Sequence, residues 1–545
     1  MQFAANEGNI LPAMKIPAIA VIKIWQGLRT IWLIPVMIEK YAVIALYFTV
    51  LVFLGVFAAR GARSMKGFVI GGKSLSFWVA AFSAQATGES AWLLLGVTGM
   101  GAMLGFSAYW IVVGEVVGVF FAWFVMGKRY KRLTDLYSSL TMTDFLVSRF
   151  QSKTTLLRLL SAVSLIIFVL IYISAQIDAT GSAFEAFLDW NYYQGALVGF
   201  GIVVLYCVAG GFLAAAWTDM FQGAVMLGCL VVLPVVAWLA IGNSAEIVAG
   251  LTAIDPALVS VWGGEFTLIN VSVVLGMMLI GLGFVGSPQV FARLLAVRSE
   301  AEIDRGKWVA LLFTFLVDAA AVSIGVLGRY LFTEKGVDPE TVLGNGAQNV
   351  MSELVHVSFP PWIVGLYVAA VLSAIMSTVS SLLVMAAGAV THDLYAKLVN
   401  PSMSDSLAAK LCRYSTLAIA MGAMALATVV SLVAPERTIF WFAIFGWSGI
   451  AATFCPMVIL ALFWPPFTEK AAIASMAAGF SMTMISKFLL QELPSVGPVF
   501  VALETMPPSF LAALIVGYVV SIISPEPANA KQFERDLLAS SQLKK

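Results

Sequence analysis

The sequence predicts an all-α polytopic membrane protein, and three observations carry that prediction. Of 545 residues, 61% are hydrophobic and only 11% charged, a usage far outside that of soluble domains. Apolar stretches of about 20 residues, the length that crosses a hydrocarbon core of about 30 Å, recur along the whole chain. Lysine and arginine collect in the segments between them.

Thirteen such stretches can be placed in order. The first, 41–59, is uncharged and ends at the basic segment 60–74. The second and third, 75–99 and 104–127, are parted by a short glycine-containing turn. The fourth, 157–184, follows the basic segment 128–156, and the Gly210-Gly211 pair separates the fifth and sixth, 193–210 and 214–241. The seventh, 268–292, carries Gly281, Gly283, Gly286 and Pro288. After the charged loop 293–307 come 308–332 and 361–391. The last four are 411–434, 438–463, 469–490 and 508–525. The loops 242–267 and 333–360 are long enough to cap one face as outer gates, and the polar tail 526–545 is expected to be partly disordered.

Residues 1–40 fit no span, because Lys15, Lys23 and Arg29 interrupt an apolar run that also contains Pro12, Pro17 and Pro35. No short apolar core ends in a cleavage site, so a signal peptide fits poorly. Trp25 and Trp32 with spaced cations suit an interfacial helix, and a true start at Met14 or Met37 is the other reading. With the amino terminus outside, the inner segments hold most of the 31 Lys and Arg residues, while 491–507 has none. The positive-inside rule therefore puts the carboxyl terminus in the cytoplasm.

Composition excludes several functions. A net charge of +1 and the lack of a basic, aromatic-interleaved tract argue against nucleic acid as a partner; the partners expected are the bilayer and a small-molecule substrate. Cys207, Cys229, Cys412 and Cys455 show neither paired nor metal-ligand spacing. With two histidines, His356 and His392, and no HExxH or GxSxG, no catalytic constellation is expected and the chain is not read as an enzyme.

Polar residues inside the spans are the candidates for function. Glu89, Glu115, Asp178, Asp219 and Asp318 lie where lipid-facing acids are costly, so each needs a partner or a water-filled path. Glu115 and Asp318 read first as partners for other helices, Asp178 fits either role, and Asp219 stands where it could cap a helix after the Gly210-Gly211 break. In VLSAIMSTVSSLL, 371–383, four hydroxyls crowd one turn; alone they fit bonding to the carbonyl four residues back. Opposite a helix broken in SAQATGESAWLLLG, 83–96, such hydroxyls suit a hard cation held by oxygens.

The chain resembles the sodium:solute symporter family over about 41–525. The resemblance rests on SAQATGESAWLLLG, TMTDFLVSRF, VAGGFLAAAWTDMFQG, GLGFVGSPQVFARLLA, VLSAIMSTVSSLLVMAAGAVTHDLY and FGWSGIAATFCPMVILALFWPPFTEKAAIASMAAG, in that order. It implies the leucine-transporter-like fold of two inverted five-helix repeats, 75–241 and 268–463, with one extra helix before (41–59) and two after (469–525). Carried over by residue, sodium as coupling ion would be held by the carbonyls of Ala86, Glu89 and Ala374 and the hydroxyls of Ser377 and Thr378. A second sodium position known in some members would use Asp219, Ser377, Ser380 and Ser381. Substrate would meet Thr87, Glu89, Ser90, Trp92, Tyr172, Gln176, Ile280, Phe284 and Trp447. Where a member of the family has an aspartate important for sodium, this chain has Gly88, and the carboxylate moves to Glu89. Gly88 is expected to permit the unwinding, and the Glu89 side chain to reach the substrate cavity, tune the ion site or carry a proton.

The function implied is sodium-coupled uptake of a small polar solute, first an amino acid or related amine, across a bacterial inner membrane. A proton-coupled or sodium-independent carrier and a transporter-like sensor are the alternatives. A passive channel is disfavoured by the paired interruptions.

Overall fold

The computed structural model describes residues 33–58, 64–434 and 436–542; the proposed interfacial segment lies largely outside them. Long helices dominate: α1 Leu33–Ala58, α2 Phe77–Ala91, α3 Thr98–Leu104, α4 Tyr109–Phe120, α5 Met142–Phe150, α6 Leu156–Leu188, α7 Tyr192–Ile241, α8 Leu268–Leu279, α9 Pro288–Ala296, α10 Glu300–Phe332, α11 Pro361–Gly388, α12 Asp405–Val433, α13 Ile439–Phe463, α14 Glu469–Phe488, α15 Met506–Ile523 and α16 Pro527–Gln542.

Eleven helical segments among the described residues are long and apolar enough to cross a membrane. Two of them, Phe77–Leu136 with 60 residues and Tyr192–Ile241 with 50, are about twice the length one crossing needs. Each turns at a glycine with positive φ, Gly105 at 61° and Gly211 at 56°.

Burial sorts the helices. The most apolar window of the segment containing α11 is 94% buried against 22% for that of α1, so α11 is the central post and α1 a peripheral helix with Phe53 and Phe57 facing outward. Around α11 stand α1, α2, α6, α7 and α12, while α13 packs on α6, α14 and α15. Close approach depends on small residues, as expected where no hydrophobic force draws helices together in lipid. A Cβ on Gly118 would stand 2.0 Å from the Gly281 carbonyl oxygen, and one on Gly281 would stand 1.9 Å from that of Gly114.

Two expectations change, and a third gains detail. α1 begins at Leu33, so residues 33–40 belong to the first long helix rather than to a separate segment. The tail forms α16, tied down where Arg149 donates to Asn529 Oδ1 (2.8 Å) and lies 3.5 Å over the Phe533 ring; its apolar stripe, with Phe533 buried, outweighs its polar composition. The loop 333–360 holds helices Pro339–Leu343 and Val350–Ser358 and seats the Gly346 carbonyl where a Cβ on Gly99 would stand, 2.2 Å away. It thus caps the end of α3.

Candidate functional site

A helix crossing lipid must satisfy its backbone internally, so an interruption is informative only with its new partners. In the first interrupted helix the break is at Ser90, with φ 40° and ψ −168°, while Gly88 stays helical. The expectation that Gly88 supplies the unwinding is therefore corrected. Its small size serves packing instead, since a Cβ there would stand 2.5 Å from the Phe284 ring. Two backbone groups around Ser90 are taken up by side chains, the Ala91 N–H donating to Gln176 Oε1 (3.0 Å) and the Gly88 carbonyl accepting from Trp92 Nε1 (3.2 Å), while the Tyr172 hydroxyl of α6 donates to the Ser90 side chain, Oγ (3.0 Å).

The second interruption follows the glycines and proline that predicted it. After α8 a tight turn over Ile280–Phe284 leads to Gly286 at φ 125°, and Pro288 opens α9. A Cβ on Gly283 would stand 2.2 Å from the Trp447 ring, whose Nε1 donates to the Ile280 carbonyl (3.4 Å). Tyr172, Trp447 and Phe284 form a chain of rings, with centroids 6.3 and 5.2 Å apart. All nine expected substrate residues are buried, which makes this an occluded arrangement.

Four of the five expected sodium ligands meet. Ser377 Oγ donates to the Ala86 carbonyl (2.8 Å) and lies 3.1 Å from that of Ala374; Thr378 Oγ1 lies 3.1 Å from the Ala374 carbonyl and 2.9 Å from that of Thr87. The fifth, the Glu89 carbonyl, accepts the Trp92 N–H instead. Serine and threonine hydroxyls inside a helix usually bond within that helix; here those of Ser377 and Thr378 also span to α2, so oxygens of two helices converge with no nitrogen among them.

The second expected position has a cation of its own. Asp219 lies two turns past Gly211 and is no helix cap. It accepts from Ser83 (2.7 Å), Ser380 (3.2 Å), Ser381 (3.2 Å) and Arg293 Nη2 (3.0 Å). Arg293 also donates to Ser83 Oγ and the Gln289 carbonyl, and reaches Ser381. Both charged side chains are fully buried, and the hydroxyls around them satisfy the pair as burial demands. Ser377 is not brought to Asp219 by any of these bonds. Sequence reasoning missed Arg293 because it sits at the mouth of a basic loop, where it read as topological charge.

The remaining acids divide. Asp178 pairs with Arg437 (Nε to Oδ2, 3.0 Å) and accepts from the Tyr192 hydroxyl (2.5 Å), which settles it as a structural partner. Glu89, Glu115 of α4 and Asp318 of α10 converge: one carboxylate oxygen from each lies within 4.8 Å of the others. Glu89 thus turns its side chain toward α4 and α10, whereas Ser90 beside it meets Tyr172.

The motifs TMTDFLVSRF and THDLY meet at another place. Arg158 binds both Asp144 (3.0 Å) and Asp393 (3.1 Å), His392 Nε2 is 2.7 Å from Asp144, and Thr141 donates to Asp393 (2.9 Å). Burial alone would raise the Asp144 pKa, but the His392 hydrogen bond and the charges of His392 and Arg158 outweigh it and hold the carboxyl below its ordinary range. This cluster locks α5 to the end of the segment that contains α11.

Comparison with known proteins agrees with this architecture. The profile of the sodium:solute symporter family matches residues 68–479. The high-affinity proline transporter PutP of Bacillus subtilis is 31% identical over 487 residues, which cover 88% of this chain and 96% of that protein. The sodium/proline symporter of Escherichia coli is 30% identical over 436 residues, 80% of this chain and 85% of its own. A solved structure of a Na+-coupled sialic acid symporter, substrate-bound and outward-open, superposes with a TM-score of 0.72 at 16% identity, covering 89% of this chain and 98% of the other; that likeness carries the fold, the leucine-transporter-like one. The chain belongs to the sodium:solute symporter family, and is a multi-pass membrane protein that couples sodium to the transport of a small organic solute.

Proposed function

We propose that the coupling ion sits between the break in α2 and the hydroxyl turn of α11, held by the Ala86 and Ala374 carbonyls, Ser377 and Thr378, with the Glu89 carbonyl joining when it leaves the Trp92 N–H. The observation that carries this reading is the paired reach of Ser377 and Thr378 from α11 to the α2 carbonyls. A cation placed there would take over the oxygens that the hydroxyl protons now bridge. It would fasten the broken helix to the central post and so complete the pocket beside it.

The solute is an amino acid or related amine, bound between the two interruptions by Thr87, Ser90, Trp92, Tyr172, Gln176, Ile280, Phe284 and Trp447. The Tyr172, Phe284 and Trp447 rings offer the faces that attract an ammonium group, and the hydroxyl and amide groups at Ser90 and Gln176 suit its polar end. The relatives named for proline transport support an amino acid over a sugar. A second sodium at Asp219, Ser377, Ser380 and Ser381 would require Arg293 to give up its pair, so one ion per cycle is the reading favoured.

Thirteen crossings follow if Phe77–Leu136 and Tyr192–Ile241 each cross twice, giving two inverted repeats at 75–241 and 268–463. The basic inner segments then put the carboxyl terminus in the cytoplasm of a bacterial inner membrane. Transport proceeds by rocking between outward- and inward-open forms, and linkage requires sodium and solute to tighten one another by the same factor.

The test is thermal unfolding of the purified protein with amino acids, amines, carboxylates and sugars, in sodium or in choline, because a ligand bound only to the native state raises stability by mass action. An amino acid or amine that stabilises in sodium only, and not in Ser377→Ala, is expected. A solute whose binding is indifferent to sodium, or to Ser377→Ala, overturns the site assignment.

A further inference from the structure

Glu89, Glu115 and Asp318 come from three different helices, α2, α4 and α10, and all three are fully buried. One oxygen of each lies within 4.8 Å of the others, and among the described residues no donor from beyond the three acids and the neighbouring Thr314 reaches their six oxygens. One helical turn before Glu89 and Asp318, Gln85 gives its amide nitrogen to Thr314 Oγ1 and keeps a buried carbonyl oxygen without a partner. The helices α2 and α10 thus run side by side here, with two matching rungs of oxygen ligands. Buried carboxylates of like charge at this spacing cannot all be ionised in the absence of a cation.

Among the described residues no cation stands beside them to balance their charge. On the far side of α2, the Arg293 charge is bound to Asp219. From α6 the facing titratable group is Tyr172, whose hydroxyl is given to Ser90. From α10 itself the nearest cations, Lys307 and Arg329, are each about three turns away along the helix, and Lys307 is paired with Asp304. Neither nitrogen nor sulfur joins the carboxyl oxygens, which selects protons or hard metal cations. An oxygen-to-oxygen span up to 4.8 Å is about twice the ligand distance of a calcium-sized ion.

We propose that the Glu89, Glu115 and Asp318 carboxylates form a second cation site beside that at Ser377 and Thr378, to which Glu89 would give only its backbone carbonyl, and that a hard cation of sodium or calcium size binds there in exchange for the protons that three carboxylates this close must otherwise share. The exchange balances in charge and atoms: the ion enters with its positive charge, and one or more carboxyl O–H bonds give protons to solvent. The place gives the exchange a consequence. Glu89 directly precedes the Ser90 break, and Glu115 N lies 2.8 Å from where a Cβ on Gly281 would be, at the second interruption. An ion drawing the three carboxylates together therefore acts on both broken helices at once. The inference does not rest on the sodium site proposed at Ser377.

The experiment uses purified full-length protein in weakly buffered detergent with a pH-indicator dye, titrated with sodium, potassium, calcium or magnesium chloride, and with choline chloride as the control for ionic strength. Saturable proton release with sodium or calcium and none with choline is expected, with apparent affinity rising about tenfold per pH unit for each proton displaced. Glu115→Gln and Asp318→Asn should each abolish the release, while a sodium-dependent thermal shift through Ser377 remains; Ser377→Ala should leave the release in place. Absence of release from the wild type with every metal cation overturns the proposal, and that arm decides even if neither acid variant folds. Equal release from the wild type and a folded acid variant also overturns it.

Discussion

Replacing Ser90 by alanine and by glycine separates two effects that meet at one residue. The side chain accepts a hydrogen bond from the Tyr172 hydroxyl (3.0 Å) and one from the Trp92 N–H (3.3 Å), and either substitution removes both, at about 0.5–1.5 kcal/mol each. The backbone at φ 40°, ψ −168° is a conformation that L-residues hold at a cost of about 1–3 kcal/mol; alanine keeps that strain and glycine does not. Glycine gives back about 0.5–1 kcal/mol through the greater freedom of its unfolded chain. Ser90→Gly should therefore be more stable than Ser90→Ala by about 1 kcal/mol, the difference between those two terms at their midpoints, although both fall below the wild type or near it. The assay is denaturant unfolding of the three proteins in one mixed-micelle system, followed by tryptophan fluorescence. If Ser90→Ala unfolds at the same denaturant concentration as Ser90→Gly, or later, the break is not strained at Ser90 and the account of it fails.

Two further predictions follow from buried charge. Arg293→Met leaves Asp219 buried without its cation and should cost about 3–5 kcal/mol, whereas the pair Arg293→Met with Asp219→Asn should recover most of that in thermal unfolding; an additive double variant would show that the two do not depend on one another. Asp144→Asn should destabilise the protein at neutral pH. Because the native Asp144 carboxyl titrates below its ordinary value, its contribution is complete above the unfolded pKa of about 3.9 and declines as pH falls from there through the lower native value. The gap between wild type and variant should accordingly narrow below about pH 4, and a gap unchanged down to pH 3 would contradict the pairing with His392 and Arg158.

Long apolar runs and breaks marked by Gly and Pro were legible in the sequence, because both are local signals. The turn at Gly286 and Pro288 lies where its residues put it. The break in α2 was displaced by two residues, since a glycine advertises freedom of φ but Gly88 is needed for its missing Cβ, against a ring nearly 200 positions away. Arg293 and Asp219 could not be paired from sequence: a single arginine at a loop boundary looks like a topological anchor, and only the packing of both α9 and α7 against α2 brings the two together. Asp178 and Arg437 are the same case. Glu115 and Asp318 were each recognisable as needing a partner, yet no periodicity states that the partner is another acid. The repeated four-residue spacing of Gln85 to Glu89 and Thr314 to Asp318 is the trace of it, visible once two helices are known to run together.

The segment entering α2 and the one leaving α9 are joined by a short parallel bridge, in which Leu75 N–H donates to the Ala296 carbonyl and Arg298 N–H to that of Leu75, both at 3.1 Å. These are the far ends of the two interrupted helices, so the bridge works as a yoke. A tilt of either half-helix below its break is passed to the other, and they can part only by giving up two backbone hydrogen bonds, at about 1 kcal/mol apiece. The lower halves consequently move as one lever while the upper halves, beyond Ser90 and before Ile280, remain free to hinge separately. The solute pocket proposed between the two breaks would sit at the fulcrum.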